Sequence, residues 1–100
     1  MRLPDTPSYN TNKNSITQKY PALLGAINNL ENKILENPES GIKEVILVGN
    51  REVKSRRRGI RTSLFNNRLP DNYLYITINY GLTSEGDVLF LTIHLREYVV

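Results

Sequence analysis

The sequence predicts an α+β domain in which two N-terminal helices pack on one face of a four-stranded, mainly antiparallel sheet. Two runs that alternate between apolar and polar residues, 72–80 and 88–98, flank a turn-forming segment near the C-terminus. Apolar residues also recur at spacings of three and four within residues 23–35. Alternation of this kind is typical of half-buried strands, and the second spacing is typical of an amphipathic helix. The helices come before the strands in the sequence. A layer of helices packed on one face of the sheet would bury the apolar side of every predicted element.

The two helices are predicted in the first third of the chain. Thr6-Pro7 is a helix start, because threonine caps free backbone amides and proline at the first helical position loses no hydrogen bond. The first helix is therefore placed at residues 7–19 and the second at residues 21–36, since a residue that precedes proline disfavours the helical conformation. The apolar stripe of the second helix comprises Leu23, Leu24, Ile27, Leu30, Ile34 and Leu35.

Four strands are predicted after the helices. Residues 42–48 and 59–65 form the first two, with a turn at Gly49-Asn50, and the alternating runs form a hairpin. In the second strand, Ile60, Thr62 and Leu64 are expected to point inward.

The alternation assigns side chains of the hairpin to two faces. We expect a core in which the second helix, through Leu23, Ile27, Leu30 and Ile34, meets Leu74, Ile76, Ile78, Leu89, Leu91 and Ile93. The opposite face is expected to carry Tyr73, Tyr75, Thr77, Asn79, Val88, Phe90, Thr92, His94, Arg96 and Tyr98. This second face is ordinary for a strand, or it is a functional surface.

Length and composition limit the classes of protein. One hundred residues predict a single domain over 1–100. The chain has no cysteine, which excludes disulfides and thiolate chemistry, and a cytoplasmic location is compatible with that. Neither a signal peptide nor a membrane span is expected, because the sequence has no long apolar run.

The positive charge is concentrated in residues 51–61. The net charge is only +3, but six cations in this segment face one acid, Glu52. Such a run indicates either contact with a polyanion or a solvated loop. The six cations are Arg51, Lys54, Arg56, Arg57, Arg58 and Arg61.

The available side chains favour chemistry on a phosphodiester without a metal ion. One histidine and scattered carboxylates do not form a ligand set, and no nucleophile motif or glycine-rich phosphate loop is present. RNA, however, supplies its own 2′-OH nucleophile, so a proton carrier and cations are sufficient. His94 suits the first role and arginines the second. The candidate aromatic groups for stacking on bases are Tyr73, Tyr75, Phe90 and Tyr98.

Three segments are informative together: Thr6-Pro7-Ser8-Tyr9, Lys19-Tyr20-Pro21-Ala22-Leu23 and Ile34-Leu35-Glu36-Asn37-Pro38-Glu39-Ser40-Gly41. They resemble the helical half of the RelE/ParE superfamily of toxins from bacterial toxin–antitoxin pairs. The final segment His94-Leu95-Arg96-Glu97-Tyr98 is similar to the closing strand of that family. With the order of elements, the resemblance covers nearly the whole chain.

The resemblance implies a cytoplasmic toxin that cleaves mRNA, usually on the ribosome, needs no cofactor, and is silenced by a cognate antitoxin. Arg61 takes the place of a strand cation that contacts the scissile phosphate. His94 or Arg96 takes the basic position on the last strand, and Tyr98 matches the terminal tyrosine. The family's penultimate-strand arginine is missing, and Arg68 in the preceding loop is the expected substitute. Further RNA contacts are expected from Arg56, Arg57, Arg58, Tyr73 and Tyr75.

Two other functions stay open on the sequence. One is a catalytically inactive module of the same fold that binds RNA or a protein. The other is inhibition of DNA gyrase, as in the ParE branch of the superfamily. His94 and Tyr98 favour RNA cleavage over gyrase inhibition.

Overall fold

A computed structural model of the chain describes residues 1–62 and 73–98. Two α-helices, α1 (Pro7–Lys19) and α2 (Leu23–Glu36), are followed by a short 3₁₀ turn at Pro38–Ser40. Within the described residues, four strands follow: β1 (Ile42–Val48), β2 (Arg51–Thr62), β3 (Tyr73–Leu82) and β4 (Val88–Tyr98). The strands form one antiparallel sheet in the order β1-β2-β3-β4. The predicted fold class is therefore confirmed.

The helix boundaries follow from local hydrogen bonding. The hydroxyl oxygen of Thr6 accepts from the backbone N–H of Tyr9 at 3.1 Å, which caps α1 as predicted. The same hydroxyl donates to the carbonyl of Leu91 at 2.7 Å and so ties the helix start to β4. The second helix begins two residues later than predicted, because the N–H of Leu23 bonds to the carbonyl of Tyr20 at 2.9 Å and forms a tight turn first.

Both helices lie on one face of the sheet, where α1 packs mainly against β4 and α2 against β2. The core contains the predicted helix residues Leu23, Ile27, Leu30 and Ile34 and the predicted strand residues Leu74, Ile76, Ile78 and Ile93. Ile60 packs against this core, as predicted for the second strand. Leu64, which was also predicted to point inward, lies outside the described residues.

A β-bulge in β4 makes part of the predicted facing wrong. Asn79 pairs with Thr92 but Tyr80 pairs with Phe90, so Leu91 is an extra residue in β4. The extra residue reverses the facing on its N-terminal side, and Val88 and Phe90 therefore point into the core. Phe90 is fully buried and stacks on Tyr9, with ring centroids 5.3 Å apart, so it is not a surface for bases.

The same bulge displaces the two leucines that were predicted for the core. Leu89 is half-buried, and Leu91 is buried but lies outside the core cluster. On the C-terminal side of the bulge the predicted facing is right. Ile93 is in the core and His94 is exposed.

The basic segment 51–61 is part of β2 and is not a loop. A strand of this length sends alternate side chains to opposite faces of the sheet, so the cations are divided between two surfaces. The two edges of the sheet also differ. The N-terminal segment pairs with β4 through Leu3, whose N–H bonds to the carbonyl of Val88 at 2.8 Å, while β1 carries exposed Ile42, Val45 and Leu47.

Candidate functional site

The open face of the sheet is the face opposite the helices. Three rows of cross-strand neighbours form its centre, because the registers of β2, β3 and β4 bring every second residue to the same side. The rows are Arg57–Asn79–Thr92, Gly59–Thr77–His94 and Arg61–Tyr75–Arg96.

His94 lies in the middle row of the open face. Its backbone partner is Thr77, whose other partner is Gly59, and its side chain is exposed. Imidazole is the side chain that exchanges a proton near neutral pH. The fold therefore presents this imidazole to solvent on the edge strand β4, in the middle of the three rows.

The adjoining row places one aromatic residue between two cations. Tyr75 pairs with Arg61 on β2 and with Arg96 on β4, and both arginines are exposed. The ring of Tyr75 lies over Gly59, because a Cβ atom at Gly59 would be 2.6 Å from its Cζ. The absence of a side chain at Gly59 thus allows the ring to lie along the sheet, over the Gly59 end of the row that contains His94.

A polar cluster occupies the other side of the His94 row. The amide nitrogen of Asn79 donates to Oε1 of Glu44 and lies 3.5 Å from Oγ of Ser55. Oγ1 of Thr92 donates to Oδ1 of Asn79 at 3.5 Å. A guanidinium nitrogen of Arg57 lies 3.8 Å from Oε2 of Glu44, which makes a loose ion pair.

An open cavity of about 910 Å³ joins these groups. The described residues that line it include His94, Tyr75, Arg57, Arg96, Asn79 and Glu44. Cations and hydrogen-bonding groups thus surround a space beside an exposed imidazole. Such a surface suits a polyanion with planar groups.

The strand divides the three consecutive arginines that were predicted to bind RNA. Arg57 is on the open face, whereas Arg56 and Arg58 point to the helix side. There Arg56 donates to the carbonyl of Glu39 at 2.8 Å, and Arg58 donates to the carbonyl of Lys33 at 3.1 Å. These bonds hold the two guanidinium groups against the end of α2 and the turn that follows it. RNA contact by these arginines stays a prediction, and only Arg57 shares the face of His94.

Three other predicted site residues are placed only in part or not at all. Tyr73 and Tyr98 are backbone partners at the end of the β3–β4 ladder, but their side chains lie outside the described part of the structure. Arg68 also lies outside the described residues. The roles predicted for these three residues stay predictions.

Glu44 is the site residue that sequence analysis missed. Its strand alternates weakly, so the sequence did not indicate which side of β1 meets the open face. Its neighbour across β2, Asn79, comes from a strand that is distant in sequence. The available signal was the single acid in an otherwise apolar and basic strand.

Within residues 1–62 and 73–98, no group of three or more histidine or carboxylate side chains is placed to hold a metal ion. In the same residues, no helix is long and apolar enough to span a membrane. Comparison with protein-family models, with curated proteins and with solved structures finds no match to this chain. The fold and the open face define an α+β domain with a basic, partly aromatic sheet surface.

Proposed function

We propose that this protein is a metal-independent endoribonuclease toxin of the RelE type. In this proposal it cleaves mRNA on the ribosome in the cytoplasm, and a cognate antitoxin protein silences it. One observation carries the proposal: exposed His94 lies between a row with Arg61, Tyr75 and Arg96 and a row with Arg57 on one open face.

Each group has a role in transesterification of RNA. The 2′-oxygen of the substrate bonds to the adjacent phosphorus and loses its proton to solvent, while the bond from phosphorus to the 5′ oxygen breaks. His94 donates a proton to that leaving oxygen. Arg57, Arg61 and Arg96 bind the phosphates, and Tyr75 stacks on a neighbouring base. Tyr98 keeps the role that the family resemblance implies.

The division of the arginines leads to a binding prediction. Replacing Arg57 by glutamine is expected to flatten the salt dependence of RNA affinity, by about 0.7 in the log–log slope for each phosphate that the variant no longer neutralises. Arg56→Gln removes the same charge from the helix side, outside the cavity that His94 lines, and it removes the bond to the Glu39 carbonyl, so we expect an unchanged slope and a lower melting temperature. Fluorescence anisotropy of a labelled single-stranded RNA over a salt series measures both slopes. Equal slopes for the parent and Arg57→Gln would contradict binding on the open face.

Expression of the chain alone in bacterial cells tests the function itself. Primer extension on abundant mRNAs is expected to show new 5′ ends soon after induction, together with arrested growth. Coexpression of a small protein encoded beside this chain is expected to restore growth if that protein is the antitoxin. Growth arrest with intact mRNA and inhibited gyrase would contradict RNA cleavage and favour ParE-like activity. Unaffected growth with tight RNA binding would instead favour the inactive module.

A further inference from the structure

Glu44 is a carboxylate in a cavity that is otherwise basic. Among the described residues that line the cavity it is the one acid, and Arg57, Arg58, Arg96 and His94 supply the cations or potential cations. A carboxylate repels phosphate, so it works against binding of the RNA backbone at its own position. A carboxylate at this position would instead bind a part of the ligand that donates hydrogen bonds.

The protein holds this carboxylate in a fixed position. Asn79 is only 4% exposed, and its amide is oriented from both ends, since Thr92 donates to its oxygen and its nitrogen donates to Glu44. Ser55, also buried, donates to the backbone carbonyl of Glu44 at 3.3 Å. The buried amide of Asn79, held by its own hydrogen bonds, thus fixes the position of one carboxylate oxygen of Glu44.

The carboxylate keeps capacity for a ligand. The side chain of Glu44 is 29% exposed, and Arg57 approaches Oε2 only to 3.8 Å, which is beyond hydrogen-bonding distance. A carboxylate accepts about four hydrogen bonds through its two oxygens. Glu44 lines the cavity that His94 also lines.

Among the groups of RNA, nucleobase edges provide N–H donors. Guanine presents two adjacent donors, N1–H and the N2 amino group, which match the two oxygens of a carboxylate. Adenine and cytosine present one amino group, and uracil presents one N–H between two carbonyl oxygens that a carboxylate repels. The donor pattern therefore favours guanine.

The register gives the separation along the strands between this position and His94. Thr77, the partner of His94, lies two residues from Tyr75 on one side and two residues from Asn79 on the other. Each separation is about 6.7 Å along the strand. A phosphate at His94 would thus have one flanking base on the side of Tyr75 and the other on the side of Asn79, whose amide reaches across the sheet to Glu44 of β1.

We propose that Glu44 recognises guanine in the nucleotide next to the scissile phosphate, and that Asn79 positions its carboxylate. This inference rests on the proposed endoribonuclease function. It adds a substrate preference that comes from the protein itself.

The test uses DNA oligonucleotides that contain a single ribonucleotide, which fixes the cleavage position. The base on each side of the scissile phosphate is varied in turn among guanine, hypoxanthine and adenine. For the parent protein, kcat/KM is expected to be about 10–100-fold higher with guanine than with adenine at one of the two positions. Hypoxanthine, which lacks the N2 amino group, is expected to fall between them. Glu44→Gln is expected to remove most of this preference.

Controls separate base recognition from other roles of Glu44. Glu52→Gln removes the same charge from an exposed residue of the hairpin, on the helix side, and is expected to keep the parent preference. If Glu44→Gln does not fold, Glu44→Asp retains a shorter carboxylate and is expected to reduce the preference in part. A Glu44→Gln protein that cleaves every substrate more slowly but with the parent preference would overturn the proposal.

Binding distinguishes failure of this proposal from failure of the proposed function. The same oligonucleotides with 2′-deoxyribose throughout cannot be cleaved, and their affinities are measured by anisotropy. A guanine preference that disappears in Glu44→Gln supports base recognition even if the parent cleaves nothing, in which case cleavage of free RNA fails and the ribosome-bound reaction decides the nuclease function. Cleavage by the parent with no base preference, in cleavage and in binding, overturns the role of Glu44 and leaves the nuclease function standing.

Discussion

Replacing His94 by alanine is expected to lower the rate of RNA cleavage about 10²–10⁴-fold, the range for loss of a general acid. The side chain is exposed and does not belong to the core cluster, so the variant should fold like the parent. RNA affinity is expected to change little, because cations in the flanking rows bind the phosphates. Single-turnover cleavage of a labelled RNA, with affinity measured in parallel, separates the two quantities.

Two companion variants make the result for His94 specific. His94→Gln retains a hydrogen-bonding side chain that does not transfer protons, so it is expected to be as slow as alanine. Arg61→Ala is expected to lower both rate and affinity, since its charge acts on the phosphate throughout the reaction. Full growth inhibition by the His94→Ala protein would contradict the proton-donor role of His94. Tyr98 and Arg96 would then be the next candidates for that role.

Replacing Glu31 by alanine is expected to cost about 3 kcal/mol of folding stability, near the lower end of the range for breaking a buried ion pair. The Glu31 side chain is 4% exposed, and it accepts hydrogen bonds from Tyr9 at 2.5 Å and from Lys13 at 3.0 Å. Arg2 also contacts it at 3.2 Å. The variant would leave the buried Tyr9 hydroxyl without this acceptor, while partial exposure of Lys13 and Arg2 moderates the loss. Urea unfolding measures the change.

The same network makes stability depend on pH in a defined direction. Burial alone would raise the pKa of Glu31, but hydrogen bonds from Tyr9 and Lys13 and the charges of Lys13 and Arg2 hold that pKa below its ordinary value of 4.5. A lowered pKa in the folded state adds stability above the unfolded value, and this is lost as pH falls through the folded value. The stability difference between the parent and Glu31→Gln should therefore shrink below pH 4.5.

Glu36, exposed at the end of the same helix, provides the matched control. Glu36→Gln is expected to leave both the stability at neutral pH and its acid dependence close to those of the parent. A Glu31→Gln protein as stable as the parent at neutral pH would show that the charge of Glu31 makes no net contribution to folding stability.

Most of the fold was predictable because its apolar patterns are regular. The spacing of Leu23, Ile27, Leu30 and Ile34 has one interpretation, and Thr6-Pro7 marks a helix start by its own chemistry. The facing of Phe90 was not predictable in this way. The bulge at Leu91 arises where β4 pairs with β3, and nothing in the alternation of β4 itself marks it.

The facing of the candidate site residues was predictable only where it follows from the alternation of side chains within a single strand. Alternation placed Tyr75 with Thr77, and His94 with Arg96, on the same face. It also divides Arg57 from Arg58, once residues 51–62 are known to be strand and not loop. Glu44 required the pairing of β1 with β2 and a diagonal contact to β3, which are tertiary facts.

Incubation of the purified protein with a defined mRNA, both free in the presence of a chelator and bound to purified ribosomes, tests the central claim most directly. Mass spectrometry of the fragments identifies the chemical groups at each new end. The expected products carry a 2′,3′-cyclic phosphate and a 5′-hydroxyl, because the attacking oxygen comes from the RNA and His94 protonates the leaving 5′ oxygen. They should be absent with His94→Ala over the same time. Intact RNA both free and on the ribosome, under conditions where the protein binds it, or fragments with 5′-phosphate ends, would contradict the proposed function.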